Sequence, residues 1–329
     1  KRFPDIDLSK YSRLPEILTE TQTKKIMFKT PFITLVALAL QFSLTSITSS
    51  AADKKDAAKI KVLLVDGQNN HDWMRCSPVM METLDATGRF SIERAIVTKF
   101  EVEKFNPDFS KYDVVLSNYN GASWKKETKE SFVKYIKEGG SLVVVHAADN
   151  SFPQWKEFNE MIGLGGWGGR NEKDGPYVYW KDGKIVRDNS KGRGGSHGSH
   201  WEYKVIVREK DHPITRGLPT EFLQAKEELY DRLRGPGKNM TILATAFAKG
   251  GSERHEPVLM TLSYGKGRIF HTVMGHSHTS MKGVAFQETL IRGTEWAATG
   301  KVTFPSVTAT ELPVDRAASR EPKDIKPLN

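Results

Sequence analysis

The sequence predicts an α/β domain built on a doubly wound, mostly parallel sheet. Two observations predict it. From residue 60 onward, short apolar runs alternate with polar segments of helical period in the order strand, helix, strand, strand, helix, strand. Residues 142–145, Leu-Val-Val-Val, are apolar at every position, as in strands that a parallel sheet buries on both faces.

Residues 61–66 form the first strand, ended by Gly67, and 77–86, apolar at Val79, Met80 and Leu84, the helix after it. Strands at 91–97 and 112–118 come next. Phe132, Tyr135 and Ile136 share one face of a helix over 125–138, which Gly139 and Gly140 stop. The strand 141–145 follows. Between 163 and 198 the chain is glycine-rich, and 176–180 and 184–186, flanking Asp182-Gly183, read as a hairpin within that excursion. Strands are then expected near 201–207, 240–247, 257–263 and 268–274, with Gly265-Lys266-Gly267 as a tight hairpin turn, and a closing helix over 284–298. The domain is placed at 59–304. Residues 305–329, with Pro305, Pro313, Pro322 and Pro327 and no periodicity, read as a flexible tail.

The N-terminal stretch has another character. Residues 27–52 carry a basic start, an apolar run and small residues at Ser49, Ser50, Ala51 and Ala52, the pattern of a signal peptide. The run is too short for a stable membrane span, for which about 20 residues are needed. A secreted or periplasmic protein is expected, and residues 1–26, upstream of Met27, read as an over-extended start. Among the 329 residues is a single cysteine, so an internal disulfide is excluded. The formal net charge is +9, but no basic run is interleaved with aromatics, so nucleic acid is not expected as a partner. Oligomeric state is not legible.

The nine histidines all lie after residue 70. His71 and Asp72 follow the first strand, His146 and Asp149 the fourth, and His276 and His278 the last. A doubly wound sheet gathers ligands past the carboxyl ends of its strands, so these loops are expected to share a site. Glu228 and Tyr230, two residues apart on an extended segment, face the same side and suit acid/base work or sugar hydroxyls, with a salt bridge to Arg232 or Arg234 as the plainer reading. Asp211-His212-Pro213 is as well explained by a turn. His71, His276 and His278 with a carboxylate could hold a divalent metal such as Zn²⁺, although neither His-Glu-x-x-His nor paired cysteines are present. The glycines at 163–169 do not follow a strand with dinucleotide spacing, so no nucleotide cofactor is expected.

Several motifs in order resemble the ThuA-like (trehalose utilisation) domain family, whose fold is similar to the three-layer, flavodoxin-like sandwich of class I glutamine amidotransferases. They are Asn70-His71-Asp72-Trp73, the run from Gly139 through His146 to Asp149, Asp211-His212-Pro213-Ile214-Thr215-Arg216-Gly217, Glu228-Leu229-Tyr230, Gly275-His276 and Arg292-Gly293-Thr294-Glu295-Trp296. In the amidotransferases the strand matching 142–145 ends in a nucleophilic cysteine. Here His146 takes that position and Cys76 lies elsewhere, so glutamine hydrolysis is not expected.

The resemblance implies a sugar ligand and a role in carbohydrate metabolism, on a glycoside or its 3-keto derivative, as an isomerase, lyase or hydrolase. His146, His276 and Glu228 are then the expected catalytic residues, and Asp72, Trp73, Asp149 and Tyr230 the substrate-binding ones. Trp73, Trp167 or Trp201 could stack on a sugar face. A non-catalytic carbohydrate-binding or partner-docking module on the same fold is the alternative.

Overall fold

A computed structural model describes residues 58–328. The expected over-extended start and signal peptide lie outside these residues. The first half runs β1 (Ile60–Asp66), α1 (Trp73–Asp85), β2 (Phe90–Ile96), β3 (Val114–Ser117), α2 (Lys126–Lys137), β4 (Ser141–Val145) and α3 (Lys156–Ile162). The second runs β5 (Tyr177–Lys181), β6 (Lys184–Asp188), β7 (Ser196–His197), β8 (Trp201–Val207), β9 (Glu221–Glu227), β10 (Tyr230–Asp231), β11 (Met240–Phe247), β12 (His255–Tyr264), β13 (Gly267–Thr272) and α4 (Val284–Thr299).

One large sheet has the order β2-β1-β3-β4-β13-β12-β11-β8-β9, with β5 and β6 attached at β12, and β7 pairs separately with β10. From β2 to β13 neighbours are parallel, and from β13 to β9 they are antiparallel. The sheet is therefore mixed, which corrects the expectation of a mostly parallel one. The reason was visible in the sequence: the short turn at Gly265 and Lys266 joins β12 to β13, and a link that short allows only an antiparallel partner.

Every residue of β4 is buried, as the four apolar residues after Ser141 require. Val143 and Val144 are each inaccessible to solvent, a burial that contributes about 1.5–3 kcal/mol per side chain. α1 and α4 touch each other; α1 lies on β1 and β2, and α4 on β3, β4, β9 and β13. α1 begins four residues before the expected start because Asp72, not the stretch before Pro78, is its N-cap, accepting from the Arg75 N–H. Gly139, at φ 119°, supplies the left-handed stop of α2.

β9 was not foreseen. Phe222 and Gln224 are buried at a period of two that breaks before buried Glu227, and the strand packs on α4, so the antiparallel half carries its end toward the helix side of the parallel strands. Residues 305–328, read from sequence as a tail, make contacts with the domain. Leu312 and Ile325 are buried, Leu223 N–H bonds to Pro313 O at 3.0 Å, and Arg320 pairs with Glu288 at 2.6 Å. Polar composition concealed two apolar anchors and an arginine clasp. Among the described residues no helix is long and apolar enough to cross a membrane.

Candidate functional site

Four residues from distant parts of the chain converge past the carboxyl ends of β1, β4, β9 and β13: His71, His146, Glu228 and His276 each offer an atom, and these atoms lie within 4.8 Å of one another. His71 sits in the β1–α1 connection, where its N–H donates to Asn69 Oδ1 at 2.9 Å. His146 follows β4 directly, at φ 47°, a left-handed conformation that costs a non-glycine residue of order 1–3 kcal/mol and that active sites often retain. His276 follows β13 after Gly275, whose φ of 108° and contact with Phe286 admit no side chain.

The His276 loop is held by a carboxylate that offers no atom to the cluster's own set. Glu227, wholly buried, accepts the backbone N–H of Gly275 and of His276 at 2.9 Å each on Oε2, while Oε1 accepts Tyr203 OH at 2.8 Å and Gln224 Nε2 at 2.9 Å. Glu228, the next residue, points into the cluster. Its Oε1 lies 3.3 Å from His146 Nε2, 3.1 Å from His276 Nδ1 and 3.8 Å from His71 Nε2. Its Oε2 lies 3.2 Å from His197 Nδ1 and 3.5 Å from His200 Nε2. One carboxylate thus faces five imidazoles.

The tautomer of His146 follows from its partner. Nδ1 lies 2.6 Å from Val273 O, which can only accept, so Nδ1 carries a proton and Nε2 is the ring atom turned to the cluster. That Nε2 and His276 Nδ1 are buried and make no well-aligned hydrogen bond. Burial, reinforced by the charges of His146 and His276, pushes His71 down to about 3. For Glu228 burial acts upward, but His146 and His276 outweigh it and hold the carboxyl below the usual range. Contact with that carboxylate raises His276 against the opposing effect of burial. Tyr230 is raised well above a normal phenol by burial, and its OH meets His71 Nε2 at 3.1 Å.

Of the residues expected from sequence, His71, His146, Glu228, Tyr230 and His276 meet. Asp72, Trp73, Asp149 and His278 do not join the four-residue cluster. Asp72 is spent capping α1 and pairing with Arg75, and Trp73 lies under the Arg94 guanidinium, 5.6 Å from its ring centroid. Asp149 is wholly buried against His271, 3.3 Å away, whose other ring nitrogen binds Ile162 O at 2.9 Å. His146 stands where His278 was expected among the candidate metal ligands. Cys76 lies inside α1, its thiol pushed up to about 12 by burial and then by Asp72.

His197 and His200 were missed. The signal available was that they close the glycine-rich excursion just before a strand, but no periodicity distinguished them from surface histidines. β7 pairs with β10, setting His197 opposite Tyr230, and Ser196 is anchored to buried Asp231 and to Arg232 Nη1. A cavity of about 440 Å³ opens beside the cluster, lined by Asn70, Asn120, Asn150, Trp167, Tyr230 and Glu228 among others.

A family model described as ThuA, trehalose utilisation, matches residues 61–297. The chain is similar to a ThuA-like protein of known crystal structure from Parabacteroides merdae, 45% identical at a TM-score of 0.78, over 82% of this chain and 100% of that one. A second ThuA-like crystal structure, from Bacteroides uniformis, is 18% identical at a TM-score of 0.53, over 78% of this chain and 98% of that one, a likeness of fold alone. No curated protein matches the chain.

Proposed function

Because the chain belongs to the ThuA family, described by trehalose utilisation, we propose that it acts on a carbohydrate, a glycoside or its 3-keto derivative, through histidine and glutamate chemistry around a divalent ion such as Zn²⁺. On the same premise we read its layering as a variant of the three-layer amidotransferase-like sandwich.

The observation that carries the reading is the convergence of His71, His146, His276 and Glu228. Donors on a tetrahedral ion with bonds of about 2.0–2.1 Å lie about 3.3–3.4 Å apart. Glu228 Oε1 stands 3.3 Å from His146 Nε2, 3.1 Å from His276 Nδ1 and 3.8 Å from His71 Nε2, so His71 would have to draw in on a bound ion. Two buried ring nitrogens without an aligned partner, one with its tautomer fixed from behind by a carbonyl, are what a metal-binding set supplies. These three imidazoles and Glu228 Oε1 would hold the ion, and when bound it would polarise a sugar carbonyl as a Lewis acid.

The chain's own residues supply the proton chemistry. A keto group acidifies the neighbouring C–H. Glu228 Oε2 is placed to take that proton, with His197 and His200, 41% and 46% exposed, to pass it to solvent or return it to the sugar. Return of the proton to the carbonyl carbon, with the hydroxyl proton of the deprotonated carbon passing to the former carbonyl oxygen, completes an isomerisation; departure of the β-alkoxide, protonated as it leaves, completes an elimination. Tyr230, fixed by stacking on His146 at 4.1 Å between ring centroids, orients a hydroxyl or the His71 ring.

The test is metal analysis of protein purified without chelators, combined with turnover on a panel of glycosides and 3-keto-glycosides, with and without divalent ions. A stoichiometric ion and product formation, both lost in His146→Ala and retained in His278→Ala, are expected. Sugar binding without turnover or metal would refute the enzyme and leave a binding module.

A further inference from the structure

Among the described residues, three strands of the large sheet pair with one neighbour only: β2, β9 and β6. Two of these edges are guarded. The C-terminal segment lies against β9, where Leu223 N–H donates to Pro313 O at 3.0 Å. β2 carries Glu93 at its midpoint, so pairing with its own copy about that residue would set like charges face to face. β6, which reads Lys184-Ile185-Val186-Arg187-Asp188, has neither guard.

The hairpin turn fixes which backbone groups of β6 are free. Asp182 and Gly183, at φ 49° and 78°, form a two-residue loop of the mirror-image type, and Lys181 pairs with Lys184 across it. Such a closing pair exchanges both of its hydrogen bonds, and bonded and unbonded pairs then alternate along the strand. Lys184, Val186 and Asp188 therefore turn their N–H and C=O groups to β5, while Ile185 and Arg187 turn theirs outward. Among the described residues neither Ile185 nor Arg187 has a backbone partner beyond β5. Ile185, 39% exposed, also stands in line with Trp180, His255 and Phe247 across β5, β12 and β11, so an apolar row ends at this open edge.

We infer that β6 pairs antiparallel with β6 of a second copy of this chain, about a two-fold axis at Val186. In that register all four free groups of each strand are used, because Ile185 of each copy exchanges two hydrogen bonds with Arg187 of the other. The same register sets Lys184 of each copy against Asp188 of the other, on the face of Val186 and in the closer, unbonded kind of pair. Asp188 keeps Arg254 as its neighbour within the chain, at 3.4 Å. Other registers are worse: centring on Arg187 opposes two guanidinium groups, and centring on Ile185 opposes Asp182 and Asp188. A lysine on an edge ordinarily repels strand pairing, but here the chain carries its own complement four residues on. Five paired residues a side bury less than the ~1,200 Å² of a stable complex, so the pair forms and parts readily with concentration. The inference is independent of the carbohydrate reading.

Sedimentation velocity on the full chain, from micromolar to millimolar, tests it: the average mass should rise from monomer toward dimer. Lys184→Asp, which opposes carboxylates at both ends of the pair, should weaken the dimer ten-fold or more, and combining it with Asp188→Lys should restore it. Cross-linking tests the register should the combined variant fail to fold. Val186→Cys should form an interchain disulfide on mild oxidation, since residues opposed in an unbonded pair have Cα atoms about 4.5 Å apart. Lys184→Cys, whose copy lies at the far end of the pair, should not, and the native Cys76 is buried and does not compete. A monomer at every concentration, a dimer unmoved by Lys184→Asp, or cross-linking at 184 equal to that at 186 overturns the inference. The first of these leaves the edge to an extended segment of another protein.

Discussion

On the proposed metal chemistry, Glu227 should control the ion affinity of a site it does not enter. It accepts four hydrogen bonds in a wholly buried position, two from the backbone that carries His276. In Glu227→Gln the amide oxygen can still accept both backbone N–H groups, and its NH₂ can turn to Tyr203 and to Gln224, whose Oε1 is buried and unpartnered. Hydrogen bonds to a charged group contribute about 1.5–3 kcal/mol and neutral ones about 0.5–1.5, so the glutamine variant should lose roughly 1–3 kcal/mol. In a domain of this size that is a fall of a few to about ten degrees in Tm. Glu227→Ala leaves buried donors unmatched and should lose more than about 3 kcal/mol. Because His276 is aimed by this carboxylate, Glu227→Gln should also weaken metal binding by about 10–100-fold, the usual effect of disturbing an outer partner of a ligand. Thermal unfolding and chelator competition measure the two effects. An alanine variant as stable as the parent, or a glutamine variant with undiminished metal affinity, refutes the reasoning.

Two further outcomes concern the frame. Glu256 is buried beside Ser252 and Asp231, and burial pushes its carboxyl up to about 7. The native state therefore holds a proton that the unfolded chain releases near pH 4.5, so stability falls as pH rises from there through about 7. Glu256→Gln should flatten that slope and gain up to about 3 kcal/mol at pH 8 in urea unfolding; a pH profile parallel to the parent's contradicts this. Gly293, on α4, would place a Cβ 2.1 Å from the Phe270 ring, so Gly293→Ala should destabilise by about 1–3 kcal/mol, and a Tm equal to the parent's would show that the helix can back away.

The parallel half of the fold was legible because burial on both faces leaves little choice of residue: β1 and β4 read as strands at sight. β9 was not, because an edge strand needs only alternate apolar positions, and one of its inward residues is a glutamate satisfied by partners far away in sequence. The same distance explains the site. His71, His146, Glu228 and His276 were identifiable from chain position after strands and from the resemblance. Asp149 matched that description equally well, and only packing shows it turned inward to His271. His278 shares an extended face with His276 in the abstract; the Gly275 bend and the turn at Ser280–Lys282 remove it. His197 and His200 depend on Ser196 being anchored to Asp231, a tertiary contact with no sequence pattern.

That anchor has a consequence for how the molecule can vary. The excursion leaves after α3 and is fastened on its return at Gly194, Gly195 and Ser196, while the β5–β6 hairpin projects between, with a tight tip at Asp182 and Gly183. Chain length at that tip, where residues 181–184 are exposed, is decoupled from the placement of the imidazoles. The hairpin tip is accordingly a natural graft point, where an affinity tag, fluorophore or foreign loop can be carried without retuning the chemistry below.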